Sequence, residues 1–382
     1  MKKSITLALA LAAVISLSAC GAKTETADDS EPASQEQTAV VNETEDTAEE
    51  TAELTETEET TTEETTAETE PAPEIVEPSA EDFEYSYDAA MGGAKITKYI
   101  GEATAIRIPS ELDGDAVKQV ELTNNSNITY VEVPEGVEGI CFKKSKNLET
   151  VVLPNTITVI ESEAFFECEN LANINIPDGV TEIHFRAFYH CKALDGIIIP
   201  ESVTSIEEQA FERCEGLTKI NIPGSITTIP YYGFSYCTSL TEVVIPDNIT
   251  GIDSGAFSNC QSLKSITVPG SISVLSSGAF SDCTSLESVA IEEGVTEIGS
   301  NAFGGCSSLK EVKLPESLTG MIDGAFQECT NLRELVLPDS VSYFSVYALY
   351  NCDALTVTYC GKQYTHGGNE WKDLYDAIKA NQ

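Results

Sequence analysis

Twelve cysteines, three histidines and 63 carboxylates are the side chains of this 382-residue chain able to ligate, reduce or attack. Nine of the cysteines recur at an unbroken interval of 23 residues: Cys168, Cys191, Cys214, Cys237, Cys260, Cys283, Cys306, Cys329 and Cys352. A ladder of thiols suits metal binding, disulfides or redox chemistry. Metal binding requires close clusters, and no C-x-x-C occurs, so no metal site is expected. Disulfides fit an exported chain, but in-register side chains hold their Cβ atoms ~4.8 Å apart and parallel, outside the ~3.5–4.5 Å of a bridge. Nine is also an odd number. The expectation is that each ladder thiol fills the core as a small hydrophobe, with Cys141 and Cys360 lying off the ladder.

The histidines, His184, His190 and His366, offer little to catalysis. His190 adjoins Cys191, yet neighbours on a turning chain face different ways, and a buried thiol is a poor nucleophile. No H-E-x-x-H, G-x-S-x-G, G-x-G-x-x-G or P-loop is present. In a chain this acidic, chance carboxylate pairs are common and carry no weight as a glycosidase signature. Asp113-Gly114-Asp115 reads as a turn. No catalytic residue and no cofactor is therefore expected, and the chain reads as non-enzymatic.

What positions the cysteines is a repeating unit of the form L-x-x-I-x-I-P-x-x-V-T-x-I-x-x-x-A-F-x-x-C. It is plain in Ala210-Phe211, Cys214 and Leu217-Thr218-Lys219-Ile220-Asn221-Ile222-Pro223. A fixed period of this size means one supersecondary unit stacked on copies of itself. Leu-x-x-Ile-x-Ile alternates as a half-buried strand does, and the following proline ends the ladder because it lacks an N–H. Val203-Thr204-Ser205-Ile206 reads as a second, shorter strand, and Ala-Phe-x-x-Cys as one short helical or 3₁₀ turn. Prolines at the same place count about eleven rungs, from Pro109 to Pro338, with Glu292 holding the position once. Only 20 residues separate Pro134 from Pro154, and Ser145 stands at the ladder position, so the first three rungs are expected to be irregular. Gly233 for Ala, Leu349 for Phe and Met321 for Ile are volume changes that a core absorbs.

Over about residues 90 to 382 this pattern resembles the BspA-type leucine-rich repeat of bacterial and parasite surface proteins. The mutual offsets of Pro, Ala-Phe, Cys and Leu over eight successive copies carry the resemblance. It implies a β-rich, right-handed repeat solenoid with a cap rung at Ile96–Gly101. At the other end, Val357 to Tyr364 reads as a hairpin and Trp371 to Lys379 as an amphipathic helix closing the stack.

The N-terminus resembles a bacterial lipoprotein signal. Lys2 and Lys3 precede a short apolar stretch, and Leu17-Ser18-Ala19-Cys20 matches the processing box whose cysteine is acylated. The expected organisation is a signal peptide at 1–20 ending at the lipidated Cys20, a disordered acidic Thr/Glu-rich stalk at 21–80, the solenoid at 81–356 and a C-terminal cap at 357–382. The stalk holds twenty acidic residues against Lys23 and cannot bury enough apolar surface to offset chain entropy. It would reach at most ~200 Å fully extended. The expected location is the extracytoplasmic face of a bacterial cell membrane. The rest of the chain, with 43 acidic and 18 basic residues, repels phosphate backbones, so no nucleic acid partner is expected.

Function then falls to the surface, as binding of an extracellular protein or glycan in a role such as adhesion. On the strand face the residues between the buried ones form a row. Asn175, Ile198, Asn221, Val244, Thr267, Lys313 and Val336 are its partner-binding candidates, and Ile198, Val244 and Val336 would be apolar and exposed. Two aromatic groups compete for the role: Tyr189, Tyr231, Tyr232 and Tyr236, and Tyr343 with Tyr347. Strand formers tolerated for their β-propensity, and rings covering the stack's edge, explain the same residues without a ligand. The alternatives to a binder are an extracytoplasmic accessory of a hydrolase and a wall-associated spacer.

Overall fold

The computed structural model describes residues 74–366 and 371–382. Cys20 and the chain as far as residue 73 lie outside the described residues. Residues before position 81 already belong to the fold. Val76 makes a parallel bridge to Ile106, and Ser79 and Asp82 close a capping box around the short 3₁₀ helix Ala80–Asp82.

The chain is a β-solenoid whose first row of strands runs from Ala105–Arg107 to Thr356–Tyr359, twelve in all. That is one more than the prolines mark. Thr356–Tyr359 lies parallel to Glu334–Val336, and also antiparallel to Lys362–Thr365 as the first arm of the expected hairpin. The second row holds the shorter strands, such as Glu182–Ile183 beside Ser205–Ile206. The early rungs are irregular, as their spacing implied: Ala105 faces Tyr130 and Tyr130 faces Thr150, while the regular 23-residue step begins with Thr150 opposite Asn173.

The Ala-Phe-x-x-Cys segment is a chain of i→i−3 hydrogen-bonded turns, such as Phe166 N–H to Glu163 O and Cys168 N–H to Phe165 O. Two residues per rung sit in the left-handed region and keep these turns from joining into a helix. One column runs Glu163, Arg186, Gln209, Tyr232, Gly255, Gly278 and Asn301, and the other includes His190, Arg213, Tyr236, Asn259 and Asp282. The helices among the described residues are Ala80–Asp82 and Lys372–Ala380.

Inside, nine phenylalanines from Phe142 to Phe326 stack ring on ring, with centroids 5.1–5.7 Å apart and near-parallel planes. Beside them each ladder thiol donates to the carbonyl of the phenylalanine 26 residues earlier, as Cys191 does to Phe165 at 3.2 Å and Cys283 to Phe257 at 3.2 Å. All nine ladder cysteines are buried and free. Ser145 holds the early ladder position by donating to Leu122 O at 2.7 Å. Gly233, Leu349 and Met321 are buried without disturbing the stack. At the far end Trp371 lies over the last rung and donates to Leu349 O at 3.1 Å, while Leu374 and Ile378 bury the inner face of the helix.

Burial pushes the Cys168 and Cys214 thiols up to about 12, and raises Cys191, Cys237 and Cys260 as well. A thiol whose pKa is raised by folding contributes stability that is complete below the unfolded value of ~8.5 and is lost as pH rises toward the folded one. Denaturant unfolding is therefore expected to show stability constant between pH 6 and 8 and falling from pH 8.5 to 10, less steeply in a Cys237→Ala/Cys260→Ala variant. Iodoacetamide in native buffer should label Cys360 and few others, with the ladder labelled only after denaturation; a ladder that resists labelling in denaturant without reductant would show that it is bridged.

Candidate binding groove on the strand face

The first row of strands is not one continuous sheet. Its ladder is interrupted between Asn173–Ile174 and Gly196–Ile197, between Glu242–Val243 and Ser265–Val268, and between Glu311–Lys313 and Glu334–Val336. The first two interruptions isolate a three-stranded sheet of Gly196–Ile197, Lys219–Ile220 and Glu242–Val243, each strand only two residues long. Farther along, Ser265–Val268 and Ser288–Ile291 pair over four residues.

Two asparagines help to explain the shortness. The Asn221 amide accepts from Ile199 N–H at 2.9 Å and donates to Ile199 O at 2.7 Å. Asn175 does the same to Leu153, at 2.9 and 3.1 Å. A side chain has taken the backbone partners that the next ladder position would use, so the strand ends there. Gly196 adds to the opening, because a Cβ built there would meet nothing within 4 Å.

A groove of about 1010 Å³ lies over this sheet. Its apolar floor and walls come from Ile174, Ile197, Ile220 and Val243 below, with Ile198 and Val244 standing beside them. The two outer residues are 80% and 70% exposed, while Ile197, Ile220 and Val243 are buried and Ile174 is half-buried. With Asn175 and Asn221 folded onto the backbone, the intervening Ile198 and Val244 are the tall apolar positions. Lys219, Glu242 and Asp178 put both signs of charge on the lining.

Of the strand-face candidates, the groove brings together Asn175, Ile198, Asn221 and Val244. Thr267, Lys313 and Val336 lie on later rungs outside it, although Val336 is 66% exposed. The aromatic candidates fall in three places. Tyr189 stacks on Phe166 with centroids 5.0 Å apart and carries Arg186 over its ring. Tyr231, Tyr232 and Tyr236 line a separate hollow on the turn face. Tyr343 and Tyr347 are exposed on the last rungs, Tyr343 near the C-terminal helix. What the sequence reading missed is the ladder break and the two left-handed columns. The recurring Gly and Asn at 255, 278, 301 and 259 were the available signal for the columns.

Histidine chemistry is absorbed by surface pairing. His184 lies 2.9 Å from Glu182 and 3.6 Å from Glu161; burial lowers its pKa, but the surrounding carboxylates outweigh that and raise it. Burial holds His190 below its ordinary value, and the neighbouring Cys191 thiol is spent on Phe165 O.

Repeat, ladder and core together define a leucine-rich-repeat solenoid. The chain belongs to the BspA type leucine rich repeat region family, whose pattern matches residues 115–241 and 227–356. It is similar in fold to a leucine-rich repeat protein of Bacteroides ovatus, at 24% identity and TM-score 0.55, covering 73% of this chain and 88% of that one. A leucine rich cell surface protein of Faecalibacterium prausnitzii aligns at 24% identity over 76% of this chain and 95% of that one, with TM-score 0.38. The pneumococcal vaccine antigen PcpA aligns at 21% identity over 67% and 62%, with TM-score 0.42. No curated protein matches the chain.

Replacing Asn221 by Leu is expected to leave Ile199 N–H and C=O without their partner and to cost about 1–3 kcal/mol in denaturant unfolding. Thr267→Leu, at the same place in a rung where the side chain holds no backbone group and the strand pairs with the next one over four residues, should cost less; equal losses would show that the Asn221 amide does not hold its neighbour.

Proposed function

We propose that this chain is a lipid-anchored surface protein of a bacterial membrane whose solenoid binds a protein partner through the strand-face groove. The observation that carries the reading is the coincidence of an opened ladder with two exposed aliphatic side chains, Ile198 and Val244. A strand face that served only as a spacer gains nothing from either. The groove's lining is aliphatic and lacks aromatic rings. That favours an extended peptide segment with apolar side chains over a sugar, which an aromatic face would hold better. The anchoring part of the proposal rests on the Leu17-Ser18-Ala19-Cys20 box, and the acidic segment between Cys20 and Val76 would act as a tether. Binding rather than catalysis agrees with the family and with histidines and thiols that are already engaged.

Two experiments test the two halves. The purified chain is titrated against immobilised extracellular-matrix proteins. Ile198→Ser/Val244→Ser should weaken capture about tenfold or more, each lost aliphatic contact being worth ~1 kcal/mol or more. Val336→Ser, equally apolar but outside the groove, should not; equal behaviour of the two variants, or no capture at all, refutes groove binding. For the anchor, Cys20→Ser should move the expressed protein from the membrane fraction to the soluble one, and continued membrane association would refute lipidation there.

A further inference from the structure

The turn face carries a second hollow, of about 520 Å³, walled at one end by Tyr231 and Tyr232, 4.2 Å apart and edge to face. The left-handed column explains how it opens. In successive rungs the column reads Gln209, Tyr232, Gly255, Gly278, Asn301, so two consecutive rungs lack the side chain that the others project. The Tyr232 ring lies flat against Gly255, where a Cβ would meet its Cε1 at 2.4 Å. At Gly278 the nearest atom to such a Cβ is 3.5 Å away, and the floor is open.

Of the polar groups lining the floor and rim, Ser258 and Glu212 are taken by Ser235 and Gln209, and the others are not used by the protein. Elsewhere on the solenoid hydroxyls are spent on the preceding rung: Thr181 and Thr204 donate to the carbonyls of Thr158 and Thr181, and Ser202 to Val180 O. Around the hollow, the Ser254, Ser277 and Ser300 hydroxyls, one per rung, make no hydrogen bond among the described residues. Neither do the side chains of Asn259, Asp282 and Asn301 along the rim. No lysine, arginine or histidine lines the space, which disfavours a phosphate or another anionic ligand. Among the described residues no cluster of carboxylates fit for a metal ion occurs. Aromatic rings beside unspent hydroxyl, amide and carboxylate groups are the chemistry that recognises neutral sugars: the rings cover the apolar face of a pyranose, and the polar groups bond its hydroxyls. The unspent groups also repeat along the stack. Beneath them the phenylalanine rings advance by 5.4, 5.4 and 5.5 Å from Phe234 to Phe303, close to the length of one hexose in an extended β-linked chain.

We propose that this hollow is a binding site for a neutral, β-linked glycan, with Tyr231 and Tyr232 stacking on one sugar and the serine row, Asn259, Asp282 and Asn301 bonding the next units along the solenoid axis. The site is separate from the strand-face groove and independent of the function assigned to it.

Isothermal titration of the purified full-length chain with cellohexaose and with chitohexaose tests it. One of the two should bind. Tyr231→Ala/Tyr232→Ala should weaken that binding about tenfold or more, and Gly278→Gln should abolish it by filling the floor. Gln209 already occupies the left-handed place three rungs earlier, so the Gly278→Gln chain is expected to fold, as circular dichroism would verify. Tyr343→Ala and Ile198→Ser/Val244→Ser should leave the affinity unchanged. Binding of neither oligosaccharide by the folded chain, or equal binding by the Gly278→Gln variant, overturns the proposal; loss of protein capture with glycan binding retained would fail the groove alone.

Discussion

The thiol of each rung donating to the phenylalanine carbonyl of the rung before is the contact on which the rest of this solenoid depends. Sulfur is a weak donor, and one such bond contributes little. Its effect comes from position. It sits beside the stacked rings, in a core where every side chain is buried, and it ties rungs together at a constant offset. Any change of rung length within the regular region would break the ring stack and the thiol bond together. This accounts for a period of 23 held without exception from Cys168 to Cys352, while the early rungs, where Ser145 replaces the thiol, wander in length.

A stack of this kind gains stability from nearest neighbours, so its ends need closure. The N-terminal hairpin Phe83–Asp88 with Gly93–Tyr99 covers one end, and Trp371 with its helix covers the other. Between them the structure tolerates interruptions of the strand ladder because the ring column does not share them. The groove can exist only because cohesion lies in the core. Opening the backbone ladder between Ile174 and Gly196 exposes apolar surface without parting Phe165 from Phe188.

Much of this was legible in the residues themselves. Alternation gave both strand rows, the cysteines gave the rung, and the odd spacing of Pro134 and Pro154 marked the irregular entrance. Ile198 and Val244 were recognisable as apolar residues at exposed positions. The shortness of the strands around the groove was not legible, because it comes from what side chains do once folded. Asn175 and Asn221 occupy the same kind of position as Thr267 and Lys313, and only geometry shows their amides turned back onto the neighbouring rung. The left-handed columns were hidden for another reason: charged and aromatic residues such as Arg186 and Tyr232 occupy them as well as glycine does.

Those columns separate folding from inscription. A position held left-handed by the turns around it accepts glutamate, arginine, glutamine, tyrosine, asparagine or glycine without changing the core, so identity there is free to carry other content. Each rung thus behaves as a slot in a rack, with one label on its strand and another on its turn. The rung from Lys219 to Tyr236 already bears two, a wall of the apolar groove on one side and the tyrosines of the polar hollow on the other.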